Sequence, residues 1–271
     1  MTGRSRRVLH RAAVAGIILA VVLPFIPLGL WSVSHRWFFP SLLPAELSLR
    51  GWSYLAAPSS RVGTALVNSL LIGVSVTVAN IVLGVPAGRA LGTSRFAGRD
   101  GLELLILAPL IVPGIAVIMG IQVVFIRMGL ADTRLGVILA HLLPTLPYMV
   151  LVMKGVFANY DTQYEEQARS LGAGSLQVLI HVTLPTVLPG VTIGALFVFL
   201  VSWSQYVLTL MVGGGRVVTL PVLLFSFATS GDHAITAALS VVFVLPAVAV
   251  LVGTARYLTG RSAALSGLGN V

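Results

Sequence analysis

The sequence predicts an all-α, polytopic membrane protein with six transmembrane helices and a polar pair of short helices between the fourth and the fifth. Hydrophobic residues make up 57% of the 271 residues, and charged residues only 9%, whereas soluble domains carry roughly 25% charged residues. The mean hydropathy of +0.99 points the same way. Because one helical crossing of a bilayer takes about 20 apolar residues, a chain of this length accommodates six spans and their loops.

Runs of apolar residues place the six spans within a single transmembrane domain, residues 1–271, at about 12–33, 62–91, 102–126, 135–157, 186–212 and 233–257. The first run follows several arginines, as in a signal peptide, but it is long and lacks a clear small-residue cleavage site. We therefore interpret it as a retained span, in which Pro24 and Pro27 predict a kink. Aromatic residues before the second span predict a loop at the membrane interface; they are Trp37, Phe38, Phe39, Trp52 and Tyr54.

The distribution of basic residues predicts a multi-pass protein with both termini in the cytoplasm. With the N-terminus inside, the inner segments carry eleven of the 17 Arg and Lys residues and the outer segments carry six, and positive charge favours the inner side. The same distribution argues against nucleic acid as a partner, because the arginines lie between apolar runs and form no single stripe. The absence of cysteine excludes disulfides, iron–sulfur clusters and thiol catalysis.

The segment 158–185 is too polar to cross a membrane, and its pattern predicts two short helices with a turn. Thr162 and Glu165 have the spacing of a capping box at the start of the first helix. Gly172 supplies the backbone freedom for the turn, and Pro185 is predicted to stop the second helix before the fifth span. The second helix carries an apolar strip formed by Leu176, Leu179 and Ile180.

The same segment resembles the cytoplasmic "EAA" loop of permeases in bacterial ATP-binding-cassette (ABC) importers. In that family, Glu-Ala-Ala is followed by three residues, a glycine, nine residues and then Ile-x-Leu-Pro. Here Glu166-Gln167-Ala168 precedes Gly172 by three residues, and nine more lead to Val182-Thr183-Leu184-Pro185. The departures are Gln167 and Val182. The motif also lies between the fourth and fifth spans, as the six-span plan of the family requires.

The resemblance implies the permease subunit of a binding-protein-dependent importer in the bacterial inner membrane. The helix pair would dock on a separate ATPase subunit, and the residues implied in this coupling are Glu165, Glu166, Ala168, Gly172, Leu184 and Pro185. The implied partners are two ATPase subunits, a second permease subunit (homologous or identical) and an extracytoplasmic solute-binding protein. ATP and Mg²⁺ would bind to the ATPase, so no cofactor is expected in this chain.

A second resemblance concerns residues 202–240, which are similar to the branch that imports polyamines, ferric iron and thiamine. Some polyamine-type permeases have acidic residues near the positions of Ser204 and Gln205, and the neutral residues here argue against a polycationic solute. Polar groups within spans are candidates for the solute pathway, with hydrogen bonding between helices as the alternative. The candidates are Gln205, Ser204, Tyr206, Gln122 and Asn80. For His141 packing is favoured over proton relay, and Lys154 is expected to extend to the cytoplasmic interface.

Other functions have less support in the sequence. The Gly213–Gly215 run is not followed by Lys-Ser/Thr, and Gly155 follows the single lysine, so the chain carries no phosphate-binding loop and is not expected to be an enzyme. The five histidines share no metal-ligand spacing. A self-sufficient secondary transporter is the alternative, but no acidic residue falls at a predicted span centre. An intramembrane hydrolase would need a Ser–His or carboxylate pair, and none is expected at a suitable depth. The residues do not name the solute.

Overall fold

The computed structural model describes residues 3–37, 40–41 and 43–268, so Phe38 and Phe39 of the predicted interface loop lie outside the described residues. Most of the described residues are helical. The helices are α1 (Gly3–Val22), α2 (Phe25–Ser32), α3 (Arg50–Ala56), α4 (Val62–Thr93), α5 (Arg99–Ile111), α6 (Gly114–Arg127), α7 (Arg134–Ala158), α8 (Gln163–Ser170), α9 (Ser175–Val178), α10 (Leu184–Trp203), α11 (Val207–Gly213), α12 (Leu220–Ser230) and α13 (His233–Leu268). Two short strands, β1 (Ser34–Arg36) and β2 (Glu46–Leu47), pair antiparallel, and a 3₁₀ turn follows α3 at Pro58–Ser60.

The helices confirm a polytopic membrane fold. In the described part of the chain, five are long and apolar enough to cross a membrane: His10–Ser32, Val62–Thr93, Arg134–Ala158, Ser175–Trp203 and His233–Thr259. The first combines α1 and α2, which are separated by a turn at the predicted Pro24 kink. The bent pair α5 and α6 supplies a sixth span if it is counted as one.

The third predicted span, 102–126, is not a continuous helix. It is divided into α5 and α6, whose axes differ by 101°. The division has a local cause: Pro113 has no N–H to donate, and it disfavours helical dihedrals in the residue before it. Val112 accordingly adopts extended angles (φ −74°, ψ 137°). The prediction followed the apolar run and overlooked this proline.

The boundary at Pro185 is also different from the prediction. The second short helix does not stop there, because α9, a π-helical turn (Leu179–Thr183) and α10 form one helical stretch, Ser175–Trp203. A π turn changes the hydrogen-bonding register of a helix, and Pro185 follows it in the first turn of α10, where a missing N–H is tolerated. The fifth span therefore begins inside the predicted loop, and it ends at Trp203 instead of near residue 212.

The chain folds as two compact units, each with its own internal packing. The first contains residues 1–63 and 223–245. Within it, α3 approaches the start of α13 so closely that a Cβ on Gly51 would lie 2.8 Å from the carbonyl oxygen of Ala234. Arg50 pairs with Asp232 at 2.6 Å. The Trp31 ring lies 4.9 Å from that of His233, and these residues border a cleft of about 320 Å³.

The second unit contains residues 64–222 and 246–271 and holds every residue of the candidate sites. Small residues at intervals of four let α4 pack closely against α7, as is common in membrane helix pairs. A Cβ on these glycines would lie only 2.5, 2.5 and 2.8 Å from carbon atoms of α7; the pairs are Gly84 with Met149, Gly88 with Met153 and Gly92 with Phe157. The two helices therefore form a closely packed pair, and α10 and α11 pack against α7.

Candidate functional site

The polar segment between the fourth and fifth spans folds into α8 and α9, joined by a tight glycine turn. Gly172 has φ +89°, in the left-handed region that glycine enters without steric cost. The turn is closed by two backbone bonds, from Gly172 N to Arg169 O (2.9 Å) and from Ala173 N to Ala168 O (3.0 Å). Beyond the turn, the Gly174 N–H donates to Gln177 Oε1 (2.9 Å). A helix and a glycine turn are therefore present in this segment, and the second helix, α9, continues into the fifth span.

The capping box predicted for α8 is not formed. Thr162 lies at the N-cap with helical dihedrals and makes no capping hydrogen bond. Asp161 instead accepts a hydrogen bond from the Gln163 backbone N–H at its Oδ1 (2.9 Å). The spacing of Thr162 and Glu165 suggested the box, but Glu165 turns inward and is engaged by other side chains.

Glu165 is buried, with 2% of its surface exposed, although it lies on a polar helix. Its Oε2 accepts hydrogen bonds from Arg89 at the end of α4 (2.8 Å) and from Arg169 of the same helix (3.2 Å). Its Oε1 accepts one from the Thr183 hydroxyl (2.7 Å). Three donors on three elements therefore hold one carboxylate, and we call these four residues the Glu165 cluster.

These contacts set the charge of Glu165. Burial alone would raise the pKa of its carboxyl, but the hydrogen bonds from Thr183 and Arg89, together with the Arg89 charge, outweigh it and hold the pKa below its ordinary value. Glu165 is therefore ionised at neutral pH. The Arg89 side chain is placed for this contact by α4, and its guanidinium also lies 5.7 Å from the centre of the Phe157 ring.

The outer surface of the helix pair is apolar. A groove of about 490 Å³ is lined by residues including Leu171, Gly172, Val178 and Val182, and the helix pair also carries large exposed apolar side chains. The exposed fractions are 89% for Leu171, 68% for Leu176, 56% for Tyr164, 47% for Leu179 and 46% for Ile180. Glu166 and Leu184 are exposed, and Pro185 is half-buried. We call this the docking surface.

Ser204 and Gln205 do not lie midway along a continuous helix, as the sequence predicted. They occupy a break in which α10 ends at Trp203 and α11 begins at Val207. Ser204 is exposed, and Gln205 and Tyr206 are half-buried. The Gln205 N–H bonds to Ser202 O (3.3 Å), which tightens the end of α10. We call residues 204–206 the helix break.

Of the other pathway candidates, two make hydrogen bonds between helices. Asn80 on α4 is fully buried and donates to the Thr145 hydroxyl on α7 (2.9 Å). Gln122 on α6 donates to the Met211 carbonyl on α11 (3.3 Å). Lys154 pairs with Glu103, which lies near the start of α5.

His141, for which the sequence favoured packing over proton relay, has two polar partners on neighbouring elements. Its Nδ1 lies 2.9 Å from Ser202 Oγ, and its Nε2 lies 2.9 Å from Thr209 Oγ1. A Ser–His pair is therefore present, contrary to the expectation from the sequence. Among the described residues, no carboxylate bonds to the ring, and the neighbouring cavity holds only about 10 Å³, so the arrangement does not fit the triad of a hydrolase.

Arg89, Thr183, Ser202 and Thr209 were not recognised as functional candidates from the sequence. A polar residue in an apolar helix needs a hydrogen-bond partner. The sequence therefore predicts that a partner exists, but it does not identify the partner. Among the described residues, no group of three His, Asp or Glu side chains could hold a metal ion.

Comparisons with known proteins agree with the motif and the topology. Residues 80–262 match the family model described as "Binding-protein-dependent transport system inner membrane component". The molybdenum transport system permease protein of Mycobacterium tuberculosis is 31% identical over 263 residues, which cover 91% of this chain and 92% of that protein. The putrescine transport system permease protein of Escherichia coli is 32% identical over 203 residues, 72% of this chain and 71% of its own length.

Solved structures support the same fold. A bacterial ABC transporter involved in the import of the acidic polysaccharide alginate matches with a TM-score of 0.72 and 20% identity, covering 95% of this chain and 99% of the other. A second structure, of the alginate transporter in complex with an alginate pentasaccharide-bound periplasmic protein, matches with a TM-score of 0.62 and 12% identity over 93% of both chains. The chain therefore belongs to the binding-protein-dependent transport system inner membrane components, and it is the multi-pass permease subunit of an ABC importer.

Proposed function

We propose that the permease transmits ATP-driven motion from a separate ATPase to its spans through the docking surface. The observation that carries this proposal is a large apolar surface on an otherwise polar helix pair, with Leu171 89% exposed at the turn. Exposed apolar patches of this kind mark interaction sites. Glu166 lies nearby as an exposed charge for a basic partner.

The complete importer contains two ATPase subunits, a second permease subunit that is identical or homologous, and an extracytoplasmic binding protein that delivers a small solute. ATP and Mg²⁺ belong to the ATPase, because the sequence offers no phosphate-binding loop for them. The break at Ser204–Tyr206 lines the solute pathway, since it places polar groups beside apolar helices. Its neutral residues favour a solute that is not a polycation.

The docking surface is tested by replacing Leu171 with Gln, which keeps a similar length but removes its apolar contact. We expect Leu171→Gln to reduce co-purification of the ATPase at least fivefold while the permease remains in the membrane. Leu47→Gln is the matched control, since Leu47 is 73% exposed in β2, outside the helix pair. Equal ATPase recovery with both variants would contradict the proposal.

The orientation is tested by thiol labelling, because the chain has no cysteine of its own. Single cysteines at two exposed positions, Ala97 and Ser170, should react only when the reagent reaches the cytoplasmic side. Cysteines at Ala45 and Arg216, also exposed, should react from the outside. Labelling of position 170 from outside would exclude contact between the helix pair and a cytoplasmic ATPase.

A further inference from the structure

We propose that His141 is a positioning residue for transport, which holds the two sides of the helix break together and so fixes the shape of Ser204–Tyr206. This inference rests on the proposed pathway beside the break. Ser202 lies in the last turn of α10, and Thr209 lies in α11, with the break between them. One imidazole bonds to both hydroxyl groups, each at 2.9 Å. His141, Ser202 and Thr209 are hereafter the His141 bridge.

The hydrogen bonds of the bridge are mutually consistent for one form of the ring. The Thr209 hydroxyl donates its single proton to the Gln205 carbonyl (3.0 Å), so towards His141 it must act as an acceptor. Nε2 therefore carries the proton, and Nδ1 accepts from the Ser202 hydroxyl. A neutral ring with its proton on Nε2 thus satisfies both hydroxyl groups and, through Thr209, a carbonyl of the break.

That carbonyl requires a partner. Where a helix breaks inside a membrane, the freed backbone groups have no water to bond to and must be satisfied within the protein. Residues 201–210 contain neither Pro nor Gly, so no residue of the segment itself enforces the break. Thr209 satisfies the Gln205 carbonyl, and His141 fixes the orientation of Thr209.

The bridge is itself held by hydrogen bonds to α7 and α4. His141 is 1% exposed, and its backbone carbonyl accepts a hydrogen bond from the Thr145 hydroxyl (2.6 Å). Thr145 in turn accepts one from Asn80 of α4 (2.9 Å). The break is therefore connected through α7 to α4. The glycines of α4 pack closely against α7.

A polar bridge of this kind could serve as mere interhelical packing, and the test must separate that from positioning. Thr209→Val keeps the shape of the side chain but removes the hydroxyl between His141 and Gln205. Thr192→Val is the matched control, because Thr192 also donates to a backbone carbonyl within α10 (Leu188 O, 2.8 Å) but lies outside the bridge. His141→Leu removes the ring, and His141→Gln restores a donor and an acceptor at similar separation.

Uptake per purified complex and basal ATP hydrolysis are measured on the assembled importer with Gln205 intact. The rate of reaction with a maleimide is measured separately, on the same variants combined with Gln205→Cys. We expect His141→Leu and Thr209→Val each to lower uptake at least fivefold and to change the thiol rate at least threefold, with basal hydrolysis within twofold of the parent. Their combination should add little, because both remove one bridge. His141→Gln should recover at least half of the uptake, and Thr192→Val should change none of the three.

Two results would overturn the inference. One is normal uptake and an unchanged thiol rate in Thr209→Val. Because this variant keeps the side-chain shape, it provides the test even if His141→Leu does not assemble. The other is an altered thiol rate with normal uptake, which would show that the shape of the break does not matter for transport. Gln205→Leu tests the pathway proposal separately. If that proposal is wrong, Gln205→Leu transports normally, while Thr209→Val still changes the thiol rate.

Discussion

Two polar clusters in the same compact unit stabilise different parts of the structure and use different chemistry. The Glu165 cluster lies between the fourth and fifth spans and uses full charges, with one buried carboxylate that accepts from two arginines and a threonine. The His141 bridge lies among the spans and uses only neutral groups. Charge is costly inside a bilayer, whereas a neutral ring orients Thr209, whose hydroxyl satisfies the Gln205 carbonyl at the break, without that cost.

The two clusters also differ in what they hold. Glu165 fixes a whole helix, because its donors belong to α4, α8 and the π turn before α10. His141 fixes only three residues between α10 and α11. Loss of the first should therefore displace the docking surface as a body, and loss of the second should change the local shape of the helix break. The following predictions test this contrast.

The largest effect is expected from Glu165→Gln. It leaves Arg89 and Arg169 without their shared carboxylate, and removing one partner of a buried ion pair costs about 3–5 kcal/mol. Because the two arginine side chains are 36% and 51% exposed, we expect about 1–3 kcal/mol after solvent screening. Thermal unfolding of the purified permease measures the loss, and uptake should fall through weaker ATPase association.

Glu166→Gln is the control for that variant, since Glu166 is the neighbouring residue, exposed and without an ion pair in the described part of the chain. It should leave the unfolding temperature unchanged. If both variants unfolded at the same temperature as the parent, the carboxylate would not be anchoring α8.

The same carboxylate predicts a pH dependence. Because the pKa of Glu165 is lowered in the folded protein, its contribution to stability is complete above the pKa of the unfolded chain, about 4.3 for a free Glu. That contribution is lost as the pH falls through the lower, folded value. Between pH 6 and 3, the stability difference between the parent and Glu165→Gln should shrink. A constant difference over this range would contradict the charged assignment.

A smaller effect, confined to transport, is expected from Gln205→Leu. The substitution keeps a similar volume but removes a donor and an acceptor from the helix break. If this side chain lines the pathway, uptake per purified complex should fall about tenfold, while assembly and basal ATP hydrolysis remain as in the parent. A loss of thermal stability with normal uptake per surviving complex would instead place the pathway elsewhere.

The contrast between the two clusters also shows what the sequence can predict. Apolar runs and the spacing from Glu166 to Pro185 are local patterns. They predicted most of the spans and the turn at Gly172, but not the division at Pro113 or the end of the fifth span at Trp203. Arg89 lies 76 residues from Glu165, and Ser202 and Thr209 lie 61 and 68 residues from His141, so no local pattern reports these contacts. The helix break was missed for a related reason: it contains no Pro or Gly, and its support comes from α7, a different helix.

The smallest effect is expected at Asp232, which carries an ion pair in the other compact unit. Asp232 bonds to Arg50 through both oxygens (2.7 and 2.6 Å), but the Arg50 side chain is 52% exposed, and such surface pairs contribute about 0–1 kcal/mol. Asp232 Oδ1 also accepts from the Ile235 backbone N–H (3.2 Å) at the start of α13. An N-cap of this kind is worth about 1 kcal/mol and is retained by Asn.

We therefore expect Asp232→Asn to change the free energy of unfolding by less than about 0.5 kcal/mol, and Asp232→Ala to cost about 1 kcal/mol because it removes the cap as well. Denaturation of the purified permease in parallel with Glu165→Gln measures both. If the loss of unfolding free energy decreases in the order Glu165→Gln, Asp232→Ala, Asp232→Asn, burial of the carboxylate determines the size of the loss. If Asp232→Asn instead cost as much as Glu165→Gln, the number of bonds to the arginine would matter more than burial, and the contrast between buried and exposed ion pairs would fail.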